Sequence, residues 1–326
     1  MSSPYLFRLL WLCLASFFVL NATLALIVRI FSSSALRIAD TLQPRAAARF
    51  LLALQLLPSG LSALFVTSLC VPSYLWLEPS GAIEHLGALC AVLGLIGAAS
   101  WILTVARSVR AMVSSWRYHS TAGPAGQETS VLEKTSAASI VEEDAPLLAM
   151  SGLFHPRLFI SRGVLRVLSA DELEAALAHE NAHSISRDNA KRFLLLFAPD
   201  IFPFLRPLRA LERNWTKFTE WAADDQATAG DSRRALSLAA ALVHVARMGA
   251  APRLPFLSTS LLACDRDLSA RVNRLLRNTP SAPARSRHYQ VLLRMGGLLF
   301  ASGFATVLSF PATLTAVHEL LERFLR

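Results

Sequence analysis

His179 and His183 stand four residues apart in the run His179-Glu180-Asn181-Ala182-His183, with a glutamate beside the first. On an α-helix, positions four apart share a face, with Cβ atoms about 6 Å apart. Two imidazoles so placed can hold one tetrahedral zinc ion, while Glu180 reaches a water on that ion and serves as general base. With 8 histidines and 13 glutamates in 326 residues, the number of accidental H-E-x-x-H matches expected is roughly 0.008. The bland reading, two solvated helix histidines, is disfavoured by that figure and by a pair of carboxylates further along the chain.

A zinc ion needs a third protein ligand. Glu220-Trp221-Ala222-Ala223-Asp224 begins 37 residues after His183 (220 − 183), in a second helical stretch where Glu220 and Asp224 again share a face. One of these carboxylates can complete a His, His, carboxylate set that leaves the fourth position to water. The other can accept the spare ring N–H of a ligating histidine, His179 being the expected one, and so fix its tautomer. Candidates for steadying an oxyanion are His244 and Arg271, with Arg274 one turn further along. His244 also reads as a packed or surface histidine, and the two arginines as solvated or ion-paired. No Ser-His-Asp or Cys-His constellation competes, and there is no glycine-rich phosphate loop.

The element that must position the histidines is well signalled. Ser169 and Glu172 fit a capping box, Leu168 and Leu173 a hydrophobic staple, and Ala170–Ile185 the helix they start. Upstream, Pro146–Met150 and Pro156–Ile160 are short apolar runs separated by Ser151, Gly152 and His155, which predicts a strand pair with His155 as a polar turn residue. Such strands offer an edge for an extended peptide. Downstream, Phe193–Leu208 is apolar but broken by Pro199, Pro203 and Pro207, and reads either as a membrane-surface or re-entrant segment or as a buried connector. Helices are expected at Leu211–Ala229, Ser232–Arg247 and Asp267–Arg277.

Composition places this machinery in a membrane. The chain is 53% hydrophobic and 17% charged, where a soluble domain carries about 25% charged residues, and its mean hydropathy is +0.43. Leu9–Val28, Leu51–Cys70, Leu86–Ala106 and Met295–Val317 each supply an apolar block long enough to cross a bilayer core. Gln55, Pro58 and Gly60 interrupt the second. The first is too long for the apolar core of a signal peptide and is read as a retained helix. The expected fold is therefore mainly α and integral to a membrane: spans within 1–117, a linker over 118–145, an α+β gluzincin-like zinc domain over 146–290, a fourth span over 291–317 and a short tail, 318–326.

Arginines set the expected orientation. Arg29, Arg37, Arg45 and Arg49 bracket the first connection, Arg107, Arg110 and Arg117 follow the third span, and Arg285, Arg287 and Arg294 precede the fourth, whereas Val71–Glu84 has neither lysine nor arginine. The positive-inside rule then puts the N-terminus outside and the zinc domain in the cytoplasm. The net charge of +9 suits anionic lipid, and no basic stripe with interleaved aromatics suggests direct nucleic-acid binding. Cys13, Cys70, Cys90 and Cys264 form no C-x-x-C pair, so free thiols are expected. Gly94 and Ala98 permit close helix packing, against this chain or a second copy in a homo-oligomer.

The run from Gly152 to Gly163, then Leu168-Ser169, Glu172-Leu173, His179–His183, Arg187-Asp188-Asn189, Glu220 and Asp224 resembles the BlaR/MecR family of integral-membrane metallopeptidases, the sensor-transducers for β-lactams. HtpX and CaaX-type proteases share H-E-x-x-H and the later E-x-x-x-D but distribute their spans differently. The resemblance implies zinc on His179, His183 and Glu220, Glu180 as the catalytic residue, Asp224 supporting a ligand and Asp188 in a structural role. It implies a bacterial inner-membrane enzyme that cleaves a cytoplasmic protein such as a transcriptional repressor, with self-cleavage on activation. Nine residues follow the fourth expected span (326 − 317), so no penicillin-binding sensor domain is expected there. The rival readings are a quality-control protease of the HtpX kind and a non-catalytic receptor or scaffold with a structural zinc site.

Overall fold

The computed structural model describes residues 3–78, 87–122, 138–153, 156–199, 208–249, 255–261, 268–277, 302–304, 306 and 310–325. Three described helical stretches are long and apolar enough to cross a membrane: Tyr5–Asp40, Pro44–Leu77 and Ala88–Ser120. Within the expected fourth span, Met295–Val317, residues 295–301, 305 and 307–309 lie outside the described residues, as do His155 and Cys264. Cys13, Cys70 and Cys90 are free thiols.

The helices outrun the apolar blocks that predict them. Helix α1 (Ser3–Asp40) has 38 residues, about 57 Å at 1.5 Å per residue, against a hydrocarbon core of about 30 Å. The second stretch comprises α2 (Pro44–Phe65), a π-helical segment (Val66–Cys70) and α3 (Val71–Leu77). Val71 N–H reaches back to the Val66 carbonyl, widening the turn just before Pro72, whose ring would crowd an α-helical carbonyl and which has no N–H to give it. Helix α4 (Ala88–Ala122) continues well past the predicted end at Ala106.

The extra length of α4 forms a back wall against a four-stranded sheet. Strands β1 (Ala138–Val141), β2 (Leu148–Ser151), β3 (Arg157–Ser161) and β4 (Ser258–Ser260) form one sheet in the order β1-β3-β2-β4. The predicted strand pair is β2 and β3, antiparallel with Ala149 opposite Phe159. Strand β1, parallel to β3, falls inside the stretch read from composition as linker; pairing with β3 outweighs its Ser- and Ala-rich local sequence. Alternation along the strands divides the side chains. Leu148, Met150, Leu158 and Ile160 enter the main core, while Leu147, Ala149 and Phe159 face α4. There Tyr118 meets Phe159 with ring centroids 5.1 Å apart, His119 stacks on the same ring at 5.4 Å, and His119 Nε2 lies 3.0 Å from the Ser151 carbonyl.

On the main-core face lie α5 (Arg162–Val167), α6 (Ala170–Ser186), α9 (Ser232–Arg247) and α10 (Leu268–Arg277), while α7 (Asp188–Phe197) follows α6 directly and α8 (Arg209–Thr228) reaches the spans. A final helix, α11 (Pro311–Leu325), packs against α3. The capping box of α6 is present: Ser169 N–H donates to Glu172 Oε2 at 2.9 Å, and Glu172 N–H to Ser169 Oγ at 3.4 Å. Leu168 and Leu173 meet in the same core. The broken apolar run Phe193–Leu208 begins as part of α7, which docks on the spans: Phe197 meets Trp101 at 6.0 Å, and Asn21 Nδ2 donates to the Pro199 carbonyl at 3.1 Å.

Small residues let α1 and α4 approach closely. A Cβ on Gly97 would lie 2.6 Å from the Leu14 carbonyl oxygen, and Gly94 is covered by Trp11 of the same chain. By contrast, a Cβ on Gly60 in α2 would have nothing within 4 Å. Gly97→Ala is expected to cost about 1–3 kcal/mol by pushing two helix backbones apart. Gly60→Ala is expected to be neutral or to stabilise by up to about 1 kcal/mol. Thermal melting of both variants in detergent separates the two outcomes.

Candidate metal centre

Helix α6 turns His179, Glu180 and His183 inward, where they are 0%, 0% and 2% exposed. Each imidazole is fixed from behind. His179 Nδ1 lies 2.9 Å from Asp224 Oδ1, and His183 Nδ1 lies 2.8 Å from Asp188 Oδ2. With both Nδ1 atoms so occupied, both Nε2 atoms face a common point, 3.2 Å from each other. Glu220 on α8 closes the set: Oε2 is 3.5 Å from His179 Nε2 and Oε1 is 3.7 Å from His183 Nε2. Bonds of about 2.1 Å to a tetrahedral zinc ion put ligand atoms about 3.4 Å apart, so the three separations match the edges of such a site. The residues present fit the ion, and His179, His183 and Glu220 are the group that could hold it.

Asp188 reaches His183 because α6 ends on Arg187 in the left-handed region (φ 53°), which reverses the chain directly into α7. Lys191 Nζ holds the other oxygen of Asp188 at 2.6 Å. Asp224 is gripped by Arg271 of α10, with Nε–Oδ2 at 3.0 Å and Nη2–Oδ1 at 2.7 Å, a two-pronged pairing. Arg271 Nη1 also lies 3.1 Å from Glu220 Oε2 and 3.0 Å from the Leu261 carbonyl.

These contacts decide the protonation states. Burial alone would raise the Asp224 carboxyl, but the Arg271 charge and the His179 hydrogen bond bring it down to about 2. Burial likewise opposes Glu220, and the neighbouring His183 and Arg271 hold it well below the usual range. Burial disfavours a charged His183, yet Glu220 and Asp188 outweigh it and raise the imidazole to about 10; His179 is raised for the same kind of reason, through Asp224 and Glu220. Glu180 is different. Burial pushes its carboxyl up, the His183 and His179 charges only partly oppose this, and neither oxygen has a hydrogen-bond partner among the described residues. An unpaired, wholly buried acid beside the ligand atoms is placed to take a proton.

Of the three oxyanion candidates the structure brings only Arg271 to the site, and there its guanidinium is engaged by the two carboxylates. His244 lies 3.2 Å from Glu172 at the opposite end of α6, seven residues or about 10 Å from His179. Arg274 pairs with Asp225 at 2.6 Å and covers the Trp221 ring at 5.2 Å. Both were read from position on a helix, and helix spacing alone does not reveal which neighbour a face will meet. Sequence reading overlooked Lys191 and gave no role to Asn189, whose Nδ2 donates to the Met150 and Gly152 carbonyls at 3.3 and 3.0 Å. The signal available was their position right after Asp188. Beside His183, a cavity of about 620 Å³ is lined by Met150, Gly152, Pro156 and Phe193.

Residues 133–247 match the family model of peptidase family M48. The matched segment covers 115 of 326 residues (247 − 133 + 1) and contains all three ligand candidates together with Glu180. No curated protein matches the chain. The family match supports a zinc metallopeptidase, in agreement with the geometry.

Asp224→Asn removes the negative charge behind His179 and is expected to weaken zinc binding about 10–100-fold, measured by chelator competition on the purified chain. Arg271→Ala leaves buried carboxylates without their cation and is expected to cost about 3–5 kcal/mol, read as a lowered melting temperature in detergent.

Proposed function

We propose that this chain is a membrane-anchored, zinc-dependent endopeptidase. The observation that carries the reading is the convergence of His179 Nε2, His183 Nε2 and a Glu220 carboxylate at separations of 3.2 to 3.7 Å, with Glu180 buried beside them. A zinc ion held there would supply Lewis acidity, polarising a peptide carbonyl and lowering the pKa of a water toward neutrality. Glu180 takes the proton of the attacking water and hands it to the departing amine. Asp224 and Asp188 keep the two ligand imidazoles in the tautomer that presents Nε2. Arg271 holds Asp224 and Glu220 in place.

The finer reading is regulatory cleavage of a cytoplasmic or membrane-proximal protein, such as a transcriptional repressor, in the manner of the BlaR/MecR family. The arginine pattern supports a cytoplasmic zinc domain, the resemblance implies a bacterial inner membrane, and α8 packs directly on the spans, which gives a membrane signal a route to a ligand-bearing helix.

Glu180→Gln preserves the shape of the site and removes the base. Zinc content is expected to stay at the wild-type level while cleavage falls about 10²–10⁴-fold. Unchanged cleavage by that variant rules out the assigned mechanism, and proteomes of cells carrying either form test the substrate class. One accumulating regulator in the variant supports signalling; many misfolded membrane proteins would point to quality control.

A further inference from the structure

A second group of metal-ligating side chains lies at the other end of the span bundle. Glu78 follows the last turn of α3, and His318 and Glu322 share one face of α11 by their i, i+4 spacing. Tyr5 at the start of α1, Tyr74 of α3, Cys90 at the start of α4 and Leu321 of α11 belong to one apolar cluster. The zinc domain meets the spans through a different cluster, at the end of α1 and the start of α2.

One nitrogen faces both carboxylates. His318 Nε2 lies 3.7 Å from Glu78 Oε2 and 3.4 Å from Glu322 Oε1. Both distances are long for a hydrogen bond, whose N···O separation is about 2.7–3.2 Å. They match the edges of a coordination tetrahedron, about 3.4 Å for bonds near 2.1 Å, as do the separations at the H-E-x-x-H site. All three ligand atoms fall within 4.8 Å of one another. The cluster is also not a solvated surface patch. The Glu78 side chain is 5% exposed and that of His318 is 14% exposed. Helix α11 is held in register beside α3 by Ser73 Oγ, which donates to the Leu314 carbonyl at 3.0 Å.

We propose that Glu78, His318 and Glu322 form a second divalent-cation site, remote from the peptidase centre, that clamps α11 to the end of α3. One imidazole and two carboxylates suit a borderline transition-metal ion such as Zn²⁺, Co²⁺ or Ni²⁺. Three protein ligands leave a position open to water or to an outside ligand. With the zinc domain in the cytoplasm, this site faces the outside of the cell.

The test uses the full chain in detergent, titrated with Co²⁺ and followed by visible absorption and by metal content after dialysis. Wild type is expected to bind two ions. His318→Ala and Glu322→Gln are each expected to weaken one of them at least about 100-fold, more than the loss of a supporting residue costs, while peptidase activity and the ion sensitive to His179→Ala remain. Glu322 is 38% exposed on its side chain, so its substitution reports on binding even where His318→Ala disturbs folding. An ion count unchanged by both substitutions overturns the proposal, as does a wild-type chain whose every bound ion is lost with His179→Ala.

Discussion

The zinc-domain interior is organised by a charge-closure constraint. Glu180, Asp188, Glu220 and Asp224 bring four carboxyl groups into a space where each is no more than 2% exposed. Arg271 and Lys191 bring two cations to the same network. With neutral imidazoles and all four acids ionised, two negative charges stay uncompensated, and a dry interior tolerates that poorly. A divalent cation between His179, His183 and Glu220 balances them. Protons on the two histidines do so in its stead, which is why both are raised despite burial that favours the neutral ring. Metal and protons thus compete for one place, and affinity for the ion must fall as the pH drops.

That constraint reaches the membrane through α8. Its two faces have opposite tasks. Leu211, Trp215 and Phe218 pack with Ala47, Ala48 and Leu51 of α2, while Glu220 and Asp224 turn toward the histidines and Arg271. The register of Glu220 against the α6 histidines is therefore set partly by the seat of α8 on a membrane helix. On the opposite side the prolonged α4 sets Tyr118 edge-on and His119 stacked against Phe159. A domain held at both of these places has its ligand geometry fixed by the span bundle as well as by its own core.

The sequence made legible those features whose signals are local. The H-E-x-x-H helix, its capping box, the β2–β3 pair and the later Glu220 and Asp224 all have characteristic residues at short fixed spacing, and the structure places them together. Three apolar blocks marked the helices but not their lengths, because the end of α4 is held at Tyr118 and His119 by packing on Phe159, far away in the chain. β1 was hidden in a low-complexity stretch since its stability comes from β3. Arg271 lies 47 residues from Asp224 in the chain, and no local pattern announces that pairing. His244 failed as a site candidate for the converse reason: it sits on the right helix bundle but at the capped end of α6, beside Glu172.

Glu180 shows how the ion and the base depend on each other. Asp224, Asp188 and Arg271 stand within 3.1 Å of its neighbours His179, His183 and Glu220, whereas neither of its own oxygens is hydrogen-bonded among the described residues. Burial shifts its carboxyl toward the protonated form. Positive charge added at the nearby ligand point favours the ionised form, which is the form able to accept a proton. A buried glutamate with no partner would weaken a purely structural site without benefit, because an apolar side chain of similar size would fill the space with less desolvation. Its presence beside three ligand atoms is intelligible where proton transfer is the task, and this favours a catalytic centre over a structural one.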